Sequence, residues 1–154
     1  MRDFNDDDKK KKSRRIQLGE NPANLPAEQL TRLAEAVKAS LHDGNLPCGT
    51  AFKIARETGV PRVAVGAITD QLGLRVSNCQ IGCFKVDKII NHEVRHVEED
   101  EAIASKLENL KMSDELTCVN VHKLAADLKL PPMAVADVAN RRQMKIRQCQ
   151  LGCF

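Results

Sequence analysis

The 154-residue chain has no tryptophan, no tyrosine and four phenylalanines. With aromatics this scarce, a core has to be assembled from Ala, Leu, Val and Ile, which suits small helices packed closely together. No stretch approaches the roughly 18 apolar residues that a membrane-spanning helix requires. The opening Met1–Asp8 lacks the apolar region of a secretory signal, so the expected compartment is the cytosol. In that compartment the six cysteines are expected as thiols or ligands, not as disulfides. A hydrophobic share of 42% argues against wholesale disorder, and the length leaves room for one or two compact domains.

Excess charge is also missing from most of the chain. Residues 1–18 hold seven Lys/Arg against four Asp/Glu, residues 19–84 hold six of each, and residues 85–154 hold eleven of each. The whole net charge of +3 therefore sits in the first 18 residues, in the run Lys9–Lys12, Arg14 and Arg15. Such a run is expected as a solvated arm, able to add non-specific phosphate contacts. The rest offers nucleic acid no overall attraction.

What the chain does have is a repeat. Shifted by 70 residues, Leu46-Pro47-Cys48 falls on Leu116-Thr117-Cys118, and Cys79-Gln80-Ile81-Gly82-Cys83-Phe84 falls on Cys149-Gln150-Leu151-Gly152-Cys153-Phe154. Between 46–84 and 116–154 no gap is needed, and twelve of 39 positions are identical, all three cysteines among them. The chain divides into a basic tail (1–18), a first unit (19–84), a linker (85–95) and a second unit (96–154). The expected fold class is mainly α, with three helices and a short two-stranded sheet in each unit.

In the first unit, Leu30, Leu33, Ala34, Val37 and Leu41 mark one face of a helix over Ala27–His42, with Gly44 as its stop. Leu46-Pro47-Cys48 reads as a short strand. Thr50 is the expected N-cap of a helix over Ala51–Thr58 that halts at Gly59, and Asn120 takes the same place in the second unit. A third helix is expected from Pro61 to Gly73. Leu74–Cys79 and its counterpart Met144–Cys149 alternate as half-buried strands do. The apolar positions in 86–110 fit one long helix, or a returning strand followed by a shorter helix.

Phe52–Leu74 resembles the helix-turn-helix of bacterial transcription regulators. Ala55 is the small residue where the helices cross, Gly59 supplies a positive φ in the turn, and Val60, Val65 and Ile68 lock the second helix down. In the second unit Ala125, Leu130, Val135 and Val138 fit, but Lys129 replaces the turn glycine. With the flanking strands the pattern is similar to the winged-helix superfamily over about 26–84 and 96–154. The resemblance implies that the second helix of the motif enters the major groove of duplex DNA. The residues it implicates are Arg62, Thr69 and Gln71 in the first unit, and Asn140, Arg141, Arg142 and Gln143 in the second.

Pairing the opening strand with the closing one would bring Cys48 near Cys79 and Cys83, and Cys118 near Cys149 and Cys153. Three thiolates so placed could hold zinc with a fourth ligand, or an iron–sulfur cluster, or a close pair could form a reversible disulfide. Equally, Cys79, Ile81 and Cys83 share one face of a strand, as small core-facing side chains would. Gly82 is expected to allow a sharp turn or close approach, and Phe84 and Phe154 to plug the base of each unit. His92-Glu93-Val94-Arg95-His96 matches the His-Glu-x-x-His pattern of zinc hydrolases, which is short enough to arise by chance. With no glycine-rich phosphate loop and no acid/base pair, an enzyme is not expected.

Two functions remain open at this point. One is a DNA-binding transcriptional regulator, in which the two units mimic a dimer or the chain dimerises through 86–110, with cysteine-bound metal, an iron–sulfur cluster or thiol oxidation as the gate. The other is a protein-interaction adaptor that uses the same fold, with structural or metal-carrying cysteines; the neutral charge of both units favours it.

Overall fold

The structure, a computed structural model, describes residues 18–83 and 97–153. The basic run, the His92–His96 motif, the whole linker, Phe84 and Phe154 lie outside these residues. Among the described residues no helix is long and apolar enough to cross a membrane.

Helix α1 (Ala27–Ala39) is built from strong helix formers and buries Leu33 and Val37, one turn apart. It stops three residues before His42. Ser40 takes the C-cap, and the chain then reverses through His42 and Asn45, which exchange backbone hydrogen bonds of 2.8 and 2.9 Å. Gly44 (φ +72°) serves that reversal and not the helix end. Strand β1 (Asn45–Pro47) runs straight into α2 (Cys48–Thr58), so the N-cap is Pro47 and not Thr50. A proline ends an extended segment naturally, because its fixed φ and missing N–H are tolerated where a helix opens. The C-cap of α2 is Gly59 at φ +68°, followed by α3 (Arg62–Gln71) and β2 (Arg75–Ser77). Both α1 and α2 pack on α3.

β1 and β2 pair in parallel, Asn45 with Arg75, Leu46 with Val76 and Pro47 with Ser77. A parallel pair needs a crossover of a dozen or more residues, and the α2–turn–α3 segment is that crossover. The described chain is thus mainly helical with one two-stranded parallel sheet. No strand hairpin follows α3 or α6 among the described residues, so the wing that the winged-helix resemblance implies is not seen there.

The second half follows the same course through α4 (Val97–Met112), α5 (Cys118–Asp127) and α6 (Pro132–Arg141). The sheet shrinks to a single parallel bridge, Thr117 to Arg147, the counterpart of Pro47 to Ser77. Thr117 is the N-cap of α5 and accepts from the Asn120 N–H; the Asn120 side chain donates to the Glu115 carbonyl at 2.9 Å instead of capping.

Left-handed residues also recur 70 positions apart: Gly44 and Asp114 (φ +72° and +58°), Gly59 and Lys129 (+68° and +55°), Gly73 and Gln143 (+67° and +54°), Asn78 and Gln148 (+49° and +53°), Gly82 and Gly152 (+68° and +72°). The second half thus keeps turns that glycine makes in the first, using residues that carry a Cβ. Relieving that strain contributes about 1–2 kcal/mol per residue, offset by about 0.5–1 kcal/mol of added chain entropy when unfolded. Lys129→Gly, at an exposed turn, is therefore expected to stabilise the protein by about 0.5–1 kcal/mol, read as a higher urea midpoint. An unchanged or lower midpoint would show that this turn carries no strain.

The cores are not separate. Leu33, Val37, Leu46, Ile54, Val65 and Ile68 of the first half surround Leu151 of the second. Reciprocally, Cys79 and Ile81 of the first half sit among Ile103, Leu107, Val121, Val135 and Ile146. After its own strand, each half sends a short arm (78–83 or 148–153) into its neighbour.

Candidate functional site at the seam between the halves

Each arm leaves its strand through a left-handed residue, Asn78 or Gln148, and closes a tight turn in which Gly82 or Gly152 donates to the carbonyl of Cys79 or Cys149, both at 2.9 Å. The turn presents Ile81 and Leu151, 1% and 2% exposed, to the opposite core. The floor that receives Leu151 is Gly66 of α3: an ideal Cβ there would lie 1.9 Å from the Leu151 carbonyl oxygen. Gly82 approaches the second half too, since a Cβ there would meet Met133 Sδ at 2.8 Å.

This exchange sets the cysteine geometry. Cys48 and Cys118 open α2 and α5, and Cys79, Cys83, Cys149 and Cys153 ride on the arms. Cys118 is hydrogen-bonded to Cys149 and to His122, one turn further along α5, and its sulfur accepts from the Gln150 amide at 3.5 Å. Cys149 also bonds Cys153, and Cys83 bonds Cys79. Cys48 feels the charges that Cys79, Cys149 and Cys118 would carry, and Cys83 those of Cys118 and Cys149. Within the halves Cys48 interacts with Cys79 and Cys118 with Cys149, while across the seam Cys48 interacts with Cys149 and Cys118, and Cys83 with Cys118 and Cys149.

Burial pushes the Cys48 thiol up to about 12. The hydrogen bond to Cys149, together with burial, raises Cys118 to about 12 against the opposing pull of His122 and Gln150. For Cys149 the strongest influence, the bond to Cys118, lowers the value, but Cys153 and burial outweigh it and leave the thiol at about 11. Cys83 is raised chiefly by its bond to Cys79 and then by burial. Each of these shifts favours the protonated thiol at neutral pH. Among the described residues, moreover, no group of three or more His, Cys, Asp or Glu side chains is arranged to hold a metal ion.

At the centre of the seam, Phe52 meets His122, the residue 70 positions on, with ring centroids 5.3 Å apart and planes tilted by 51°. The Arg62 guanidinium lies 3.8 Å over the Phe52 ring and donates to Gln150 Oε1. His122 Nε2 is buried without a described partner.

The residues implied by the helix-turn-helix resemblance are scattered. Arg62 is engaged at the seam. Thr69 is 1% exposed and its hydroxyl donates to the Val65 carbonyl at 2.7 Å, so its side chain presents nothing to a groove. Gln71 donates to the Glu20 carbonyl. Arg141 pairs with Asp100 at 2.7 Å and Asp137 at 3.5 Å, and Arg142 with Glu101. Asn140 and Gln143 are exposed at the far end of α6. Ala64 through Thr69 are all buried, leaving α3 enclosed by α1, α2 and the arm from the second half.

Sequence reasoning missed Phe52, His122 and Gln150 as partners across the seam. A signal was available in the small residues at the equivalent positions Gly66 and Ala136, which allow a close approach to either helix. Comparison with protein families, curated proteins and solved structures gives no match for this chain.

Proposed function

We propose that the protein is a non-catalytic interaction module, an adaptor of two fused half-units whose cysteines pack the seam in their protonated form. One observation carries this reading: α3, the helix that a helix-turn-helix regulator would lay in the major groove, is buried from Ala64 to Thr69 beneath the exchanged arm. The equal numbers of cationic and anionic residues in 19–84 and in 85–154 support it, because a duplex would find no extended positive face there. So do the carboxylate partners of Arg141 and Arg142, which occupy the guanidinium groups that base edges would need.

A gel-shift salt series with full-length and tail-deleted protein tests it. The adaptor reading expects weak duplex binding that falls steeply with salt, disappears when residues 1–17 are removed, and ignores Arg141→Ala combined with Arg142→Ala. Sequence-selective binding that survives loss of the tail and is weakened by the double substitution would return the function to a DNA-binding regulator.

A further inference from the structure

An open cleft of roughly 500 Å³ lies between α2, the turn before α3 and the arm of the first half. Lys53, Arg56 and Arg62 line it together with Phe52 and Gln80, and no carboxylate does. Lys53 has a loose neighbour in Glu57, 3.7 Å away with both side chains more than half exposed, a pair that neutralises little. Arg56 is exposed and has no ion pair among the described residues. Arg62, by contrast, is pinned by the Phe52 ring and by Gln150.

The repeat supplies an internal control. In the second half, Lys53 is matched by Lys123, but Arg56 becomes Ala126, Arg62 becomes Pro132 and Phe52 becomes His122. The two halves share backbone course, strand register and arm, so the scaffold does not require two guanidinium groups here. We propose that this cleft binds a small phosphorylated ligand, with Arg56 and Lys53 closing on a phosphate against the fixed Arg62.

Guanidinium forks match the oxygens of a phosphate two at a time, and an ammonium adds a point charge, a set that suits a phosphate better than a carboxylate. Arg62 is held before the ligand arrives, so it loses little side-chain freedom on binding. Gly49 adds a fourth feature: it lines the cleft in the first turn of α2, and Pro47 leaves that turn without a side-chain cap. One face of Phe52 is already covered by Arg62, so the ligand is chosen through its phosphate and not by stacking.

The test is calorimetric titration of the full-length protein with inorganic pyrophosphate at low salt, and in parallel with a DNA duplex. The expected result is saturable pyrophosphate binding, weakened about tenfold or more by Arg56→Ala and several-fold by Lys53→Ala, while Lys123→Ala leaves it unchanged. All three side chains are exposed, so matching thermal melts will confirm that the variants fold. Absence of saturable binding would overturn the proposal. So would an equal response to Arg56→Ala and Lys123→Ala, which would mark diffuse attraction to positive charge. Binding confined to the duplex and lost with Arg56→Ala would assign the cleft to nucleic-acid phosphates and overturn the small-ligand assignment.

Discussion

Gly66→Ala is expected to drive the C-terminal arm out of the first half and to lower stability by about 2–4 kcal/mol. The added methyl would point at the Leu151 carbonyl oxygen from 1.9 Å and at its carbon from 2.7 Å. Both are backbone atoms in a tight turn, so no side-chain rotation can relieve the clash. Either α3 shifts against α1 and α2, or Leu151 leaves a site where it is 2% exposed. The urea midpoint should fall, and Cys149 and Cys153, which pack against the first core, should react much faster with a thiol reagent under native conditions. The counterpart Ala136 already carries the methyl while fully buried. Ala136→Gly should then cost only the helix-propensity difference of about 1 kcal/mol and the small void it opens. A Gly66→Ala protein with an unchanged midpoint and unchanged thiol reactivity would mean that the arm does not lie on α3.

The second large effect is alkaline loss of stability. Thiols in the unfolded chain release their protons near 9, while Cys48 and Cys118 hold theirs to about 12 and Cys149 to about 11. Below pH 9 both states carry these protons and the full stabilisation is present. Between 9 and 12 the unfolded chain has lost protons that the folded one keeps, so every rise in pH favours unfolding. Urea unfolding under reducing conditions should show a midpoint that is level from pH 7 to 8 and declines from about pH 9 upward. The chain has no tyrosine, so no phenol titrates in the same window. Cys118→Ala, which removes one of the most shifted thiols, should flatten the decline. A midpoint as high at pH 11 as at pH 8 would sink this account of the seam.

Much of the architecture is legible in the sequence, because it rests on local signals. The 70-residue repeat, the two-helix motif with its turn at Gly59 or Lys129, and the pairing of an opening strand with a closing one each depend on residues close together or on periodic pattern. Helix ends were less legible. Thr50 and Asn120 have the chemistry of caps, yet the helices begin one turn earlier, because β1 ends at Pro47 and Thr117 occupies the true N-terminus.

The arm exchange could not be read. Cys79-Gln80-Ile81 and Cys149-Gln150-Leu151 are nearly identical, and either would fill either core. A pattern of apolar residues says that Ile81 is buried, but not in which half. Nor does position in the motif show that Arg62 lies over Phe52 or that Thr69 is enclosed, since both depend on packing between distant segments.

The meeting of Phe52 with His122 has a consequence for how such a molecule can change. When two identical chains associate face to face, a side chain beside the symmetry axis must be compatible with its own copy, so any substitution is imposed twice at one point. Joining the two units in a single polypeptide removes that requirement of self-complementarity and fixes their ratio at one to one. An imidazole can then oppose a phenyl ring, and one unit can gather cations that the other discards, without any loss of the common frame.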